Sequence, residues 1–263
     1  MPDKISAAPP SPFRGKWLPL TIVIVLLIAL FLRLGTWQLN RRAERLAANA
    51  EIIARTELPP LTVTGELLDP EEANLRRATV RGVFDYSQEL VLRNRTWNDY
   101  PGVHVLTPLK IDGSDTAILV DRGWIPYESA APEGRAEFQN AQGEVEVYGI
   151  LRQSQERRGS FSPQDPAPSP ENRSDAWHRV DLPKIRQQLP YSLQTVYLEE
   201  DTQPGETPRL FPKPQPDISL DEGSHLLYAI QWFAFAMIAA VGYVALYRQR
   251  TQDARRTSAE QTT

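Results

Sequence analysis

Ser224 to Tyr247 reads SHLLYAIQWFAFAMIAAVGYVALY, and its character decides what kind of molecule the chain forms. From Leu226 to Leu246 no side chain is charged, and Gln231 is the one strongly polar residue. At about 1.5 Å per residue such a run makes a helix about 30 Å long, enough to cross the hydrocarbon layer. A buried helix of a soluble protein would carry a polar stripe, and this run has none. It reads as a transmembrane helix. His225 stands at its entrance, and Tyr228, Ala229, Trp232, Ala236 and Tyr243 follow on roughly one face. Two readings of that stripe stand side by side. Aromatic rings suit the headgroup layer and small residues permit close helix packing. An ionisable ring at a membrane boundary is also a candidate ligand site.

Toward the other end of the chain, WLPLTIVIVLLIALFL (17–32) is a second apolar run, which LGTWQL extends past Arg33 to Leu39. No small-x-small cleavage signal follows it, so an uncleaved anchor is expected in place of a signal peptide. Lys4, Arg14 and Lys16 flank this span, and Arg248, Arg250, Arg255 and Arg256 follow the other. The stretch between the spans, 35–224, holds 21 Lys and Arg against 30 Asp and Glu. The basic ends place both termini in the cytoplasm and the middle outside it. The first residues are too short and too poor in arginine for a mitochondrial transit peptide, so a bacterial plasma membrane is the expected location.

Between the spans the hydrophobic period changes. GTWQLNRRAERLAANAEIIART continues the first helix out of the membrane, and Pro59–Pro60 stops it. ATVRGVFDY, QELVLRNRT, VHVLTPLKI, TAILVDRGWI, EVEVYGILR and TVYLEE are then β-branched or alternating runs, separated by turns such as Asp112–Gly113 and Asn140 to Gly143. LPKIRQQL (182–189) reads as a short helix, and the Pro-rich stretches 159–171 and 203–217 read as loops or tethers. The expected class is an α+β membrane protein in which two transmembrane helices flank a mostly antiparallel β extracytoplasmic domain. Its expected parts are a tail (1–16), a span (17–39), a helical extension (40–58), the β-rich domain (59–202), a tether (203–224), a span (225–247) and a tail (248–263).

Composition narrows the chemistry. The chain of 263 residues has a net charge of −4, which gives no general affinity for nucleic acid. It has no cysteine, so disulfides, thiol catalysis and Cys-ligated metal sites are excluded. Phosphate-binding glycine loops, G-x-S-x-G and H-E-x-x-H are missing from the sequence. Its three histidines, His104, His178 and His225, have no metal-ligand spacing. An enzyme is the least supported class.

The informative residues gather where the spans meet the domain, GTWQLNRR (35–42) and SHLLYAIQWF (224–233). Gly35 permits close approach of a backbone or flat ring. Trp37 and Trp232 offer stacking area, Gln38 and Arg41 polar contacts, and His225 an imidazole nitrogen. The set suits an amphipathic ligand with an acidic edge and an apolar body. Structural docking of two helices would use the same residues.

The run G-x-W-Q-x-x-R, here Gly35, Trp37, Gln38 and Arg41, resembles the opening signature of the surfeit locus protein 1 family. YPGVHVLTPL (100–109), VDRGWIP (120–126) and HLLYAIQWFAFA (225–236) follow in the same order. These are membrane-bound assembly factors of haem–copper cytochrome c oxidase. The resemblance implies a role in maturing the oxidase catalytic subunit alongside other biogenesis factors. It also implies transient binding of haem a, with the histidine opening the second span, His225, as the residue associated with the iron. Trp232, Tyr228, Trp37, Gln38, Arg41 and Gly35 then complete the expected cofactor-binding set. A scaffold that holds oxidase subunits together without carrying haem is the competing expectation.

Overall fold

The computed structural model describes residues 15–260 except 16, 140, 158, 160, 161, 166, 167, 170, 171, 208, 217 and 219. The expected turn at Asn140, parts of the loops 159–171 and 203–217, most of the N-terminal tail and residues 261–263 therefore fall outside the described residues. In chain order the elements are α1 (Trp17–Thr56), β1 (Leu61–Val63), α2 (Pro70–Ala73), β2 (Arg77–Phe84), β3 (Leu90–Trp97), β4 (Tyr100–Ile111) and β5 (Thr116–Pro126). They continue with α3 (Pro132–Arg135), β6 (Glu144–Gln153), β7 (Ala176–Trp177), α4 (Leu182–Ile185), β8 (Ser192–Glu200) and α5 (His225–Glu260). The chain divides into a helical unit, built from its two end regions, and a β-rich unit over Glu51–Ser219.

In the helical unit α1 and α5 run antiparallel. Trp17 meets Tyr247 edge to face, the hydroxyls of Thr21 and Tyr243 bond, and Phe31 stacks on Trp232. Arg42 pairs with Glu222 at 2.8 Å, and the Asn49 side-chain amide donates to the Leu220 carbonyl at 2.9 Å. Along α1 the half-buried and buried positions Thr21, Ile24, Ile28, Phe31, Gly35 and Gln38 recur every three or four residues. That spacing makes a seam of coiled-coil type. Ala229 and Ala236 are buried on the facing side of α5, where a small side chain lets the helices approach. The other faces expose Val25, Leu26, Leu227, Met237 and Ile238. An apolar surface of that extent on a helix long enough to span is stable against lipid and not against water. Both helices are candidate membrane spans by length and composition.

The β-rich unit is a mostly antiparallel sheet that closes on itself. β2 pairs with β6, β6 with β8, β8 with β5, β5 with β4, and β4 returns to β2 through Gly82↔Ile111, Val83↔Lys110 and Phe84↔Leu109. β4 can serve three neighbours because it is long. Its first half pairs with β3 and its last residues with β2. Three pairings are parallel, β1 with β2, β3 with β7 and β5 with β8. The apolar run TAILV in β5 reflects burial on both faces. Ile118 and Val120 point into the ring with Val80, Leu109, Val196 and Leu198. Ala117 and Leu119 point outward under Trp177, Val180, Leu182 and Ile185, so α4 and β7 form a lid over that outer face. Each such aliphatic side chain contributes about 1.5–3 kcal/mol when fully buried.

The β3–β4 hairpin extends further than expected. Asn98 and Asp99 both take positive φ, 48° and 65°, which lets a two-residue turn join Trp97 directly to Tyr100. The segment 203–224, expected as a tether, does not run free throughout. Lys213 forms a backbone bridge with Trp124, with 2.8 Å bonds in both directions. Arg209 grips both carboxylate oxygens of Glu200 at 2.6 and 2.7 Å. Pro-rich composition predicts an absence of regular structure, but Arg209, Phe211 and Lys213 supply the charge, ring and N–H that dock it.

Candidate functional site

At the start of α5 the helical unit brings together two of the residues singled out in the sequence. The His225 Nδ1 and Gln38 Oε1 are 2.8 Å apart. With the amide oxygen facing the ring, Nδ1 is the donor, and in the neutral tautomer that this selects, Nε2 keeps its lone pair. No described residue bonds Nε2. A side-chain oxygen on one ring nitrogen and an uncommitted lone pair on the other is the usual state of a metal-ligating histidine, the first contact fixing tautomer and orientation.

The remaining members of the set distribute by helical phase. Gly35, Gln38 and Arg42 share the seam, whereas Trp37 and Arg41 lie about 100° round the helix from it. A Cβ at Gly35 would lie 2.5 Å from Cε1 of Phe233, so the flat ring that this glycine admits belongs to the chain itself. Trp232 packs between Phe31 and Phe235, at centroid distances of 5.7 and 5.8 Å. Trp37 and Tyr228 are each 52% exposed and present open aromatic faces. Arg41 pairs with Glu44 one turn along at 2.6 Å.

A second polar cluster lies in the β-rich unit, and sequence reasoning did not single it out. His104 of β4 is buried. Its Nδ1 lies 2.9 Å from Asp121 Oδ2, and its Nε2 lies 3.2 Å from Gln215 Oε1. Asp121 Oδ1 accepts from the Gly123 N–H at 3.0 Å, where β5 bulges against β4. Gly123 has φ 109°, and a Cβ there would lie 2.0 Å from the Lys213 carbonyl oxygen. Only glycine lets the chain pass so close. Arg122 next to it is fully buried. It donates to the Phe138 carbonyl at 2.8 Å, lies over the rings of Phe84 and Tyr86, and sits 3.6 Å from Glu89. Burial pushes the Glu89 carboxyl up, against the pull of the Thr107 hydroxyl, Arg122 and Arg135. The VDRGW run is therefore the seat of residues 209–215. The readable signal was polar His104 and Asp121 inside otherwise apolar strands.

Two apolar antiparallel helices carrying a closed, mostly antiparallel β unit define a membrane protein with a β-rich domain between its spans. The SURF1 family pattern matches residues 25–237. The chain belongs to the SURF1 family. It is 33% identical over 187 residues to Surfeit locus protein 1 of Xenopus tropicalis, covering 65% of this chain and 57% of that one. It is 32% identical over 173 residues to the mouse protein of the same name, covering 60% and 54%. The SURF1-like protein of Monosiga brevicollis is 29% identical over 229 residues, covering 82% and 83%. The chain thus spans little more than half the length of the frog and mouse relatives.

Proposed function

We propose that this chain is an assembly factor for haem–copper cytochrome c oxidase that binds haem a at His225 and assists its insertion into the catalytic subunit. Membership of the SURF1 family supports the assembly role, and the Gln38–His225 contact is the observation that carries the haem reading. The residues present fit the group: one oriented imidazole with its Nε2 lone pair uncommitted, open faces of Trp37 and Tyr228, and an arginine nearby in sequence. Haem a supplies the redox and oxygen chemistry of the oxidase that receives it; here it is cargo. His225 would hold the iron, with Gln38 fixing the ring, and the exposed apolar helix surface would take the hydrocarbon tail. Arg41, whose pair with Glu44 is exposed, would offer a charge-assisted bond to a propionate.

The antiparallel packing of α1 and α5 puts Trp17 beside Tyr247, which supports a topology with both termini on one side of the membrane. The basic flanks support the cytoplasmic face as that side, with the β-rich unit across the membrane from it. Deleting the gene should leave cells with oxidase catalytic subunit deficient in haem a, and re-expression of the chain should restore it. Quantifying haem a per purified oxidase checks this. Full haem occupancy in the deletion strain would contradict the assembly role.

A further inference from the structure

We propose that residues 209–215 are a proton-controlled strap, held on the barrel by protonated His104 and loosened when that imidazole loses its charge. The strap has three attachments besides the one on His104. Of these, the Arg209–Glu200 pair includes a carboxyl that burial pushes up against the pull of Arg209. Its loss of charge would loosen the strap in acid, opposite in sign to His104. Arg209 is fixed to Glu200 and to the Arg122 carbonyl, Phe211 packs against Trp124 and Trp97, and Lys213 bridges to Trp124. The fourth attachment is the His104–Gln215 bond. A protonated ring has two N–H groups, which match the two oxygens that face it, Asp121 Oδ2 and Gln215 Oε1. A neutral ring with its proton toward Asp121 presents a lone pair to the Gln215 oxygen. The amide must then turn over, and a charge-assisted bond becomes a neutral one of about half the strength.

The groups around the ring come from four segments: Asp121 on β5, Arg95 on β3, Tyr197 and Glu199 on β8, and Gln215 on the strap with Pro216 just after it. They line a cavity of about 410 Å³ with His104. Burial opposes the charge on His104, and Arg95 opposes it further. The Asp121 carboxylate and the hydrogen bonds to Asp121 and Gln215 outweigh both and raise the imidazole above its ordinary value. A group raised in the closed state contributes its stabilisation below the ordinary histidine range and loses it as pH rises through the raised value. The His104–Gln215 attachment is therefore tightest in acid and loosens on the alkaline side. In sequence the strap precedes α5, and its proton control does not depend on the haem reading.

The test uses the full chain in phospholipid nanodiscs without haem, so failure of the haem reading leaves it untouched. Hydrogen–deuterium exchange of the peptide containing Leu210–Gln215 is followed from about pH 5.5 to 8.5, spanning the histidine range, and corrected for intrinsic exchange. Protection should fall several-fold across that range in the wild type. His104→Gln should abolish the pH step, and Gln215→Leu, which leaves the barrel untouched, should give low protection at every pH. A flat wild-type profile, or an unchanged step in either variant, overturns the proposal.

Discussion

His225→Ala should lower haem a affinity by about 100-fold or more while the protein still accumulates in the membrane. Changes in the partner that orients a metal-ligating histidine typically cost about 10–100-fold, and loss of the ligand itself should cost at least as much. The histidine sits at the first turn of α5 and is only half-buried, so a span of apolar residues inserts equally well without it. Gln38→Leu removes the acceptor on Nδ1 without touching the ligand atom. It should cost about tenfold, with the residual haem less uniformly ligated. Arg41→Ala should weaken retention only a few-fold. Haem content of the purified variants, measured by absorbance against protein concentration, gives the ranking. Equal haem content in His225→Ala and wild type would remove the ligand assignment and favour the scaffold reading.

Arg122→Ala should destabilise the β-rich unit by about 3–5 kcal/mol, because it leaves Glu89 buried with its nearest cation gone. Arg135 remains at 3.7 Å from the same carboxylate, but one cation then has to balance a carboxyl that two flanked before. The cation also loses its contacts to the Phe84 and Tyr86 rings and to the Phe138 carbonyl. For a domain of this size the melting temperature should fall by about 10 °C. Near-ultraviolet circular dichroism of the full chain during heating would follow it. A drop of less than about 1 kcal/mol would mean that the buried charges are compensated in another way.

The two helices and six of the strands were legible because their burial is written in the sequence as period. The apolar runs of α1 and α5 face outward on most sides, and strands such as β2 alternate along their length. β1, β7 and α2 are too short to carry a period, and they exist because the ring of strands offers them an edge or a groove. Parallel pairing of β5 with β8 follows from closure of the sheet, which local pattern does not encode. At the helix junction, Gln38 and His225 were both nameable from the sequence, but their contact was not. Helical phase separates Gln38 and Arg42 from Trp37 and Arg41, and strict use of it would have moved Arg42 to the seam. His104 carries no local signal of its role, because its partners are far along the chain, one on β5 and one in a Pro-rich stretch that composition marks as a tether.

The most direct measurement is the absorption spectrum of the wild-type chain, purified in mild detergent from cells that synthesise haem a. The account predicts a Soret band with haem a bound near one per chain, its position shifted in Gln38→Leu because the imidazole is no longer held by the amide oxygen. A protein that purifies intact from such cells with no Soret band would contradict it.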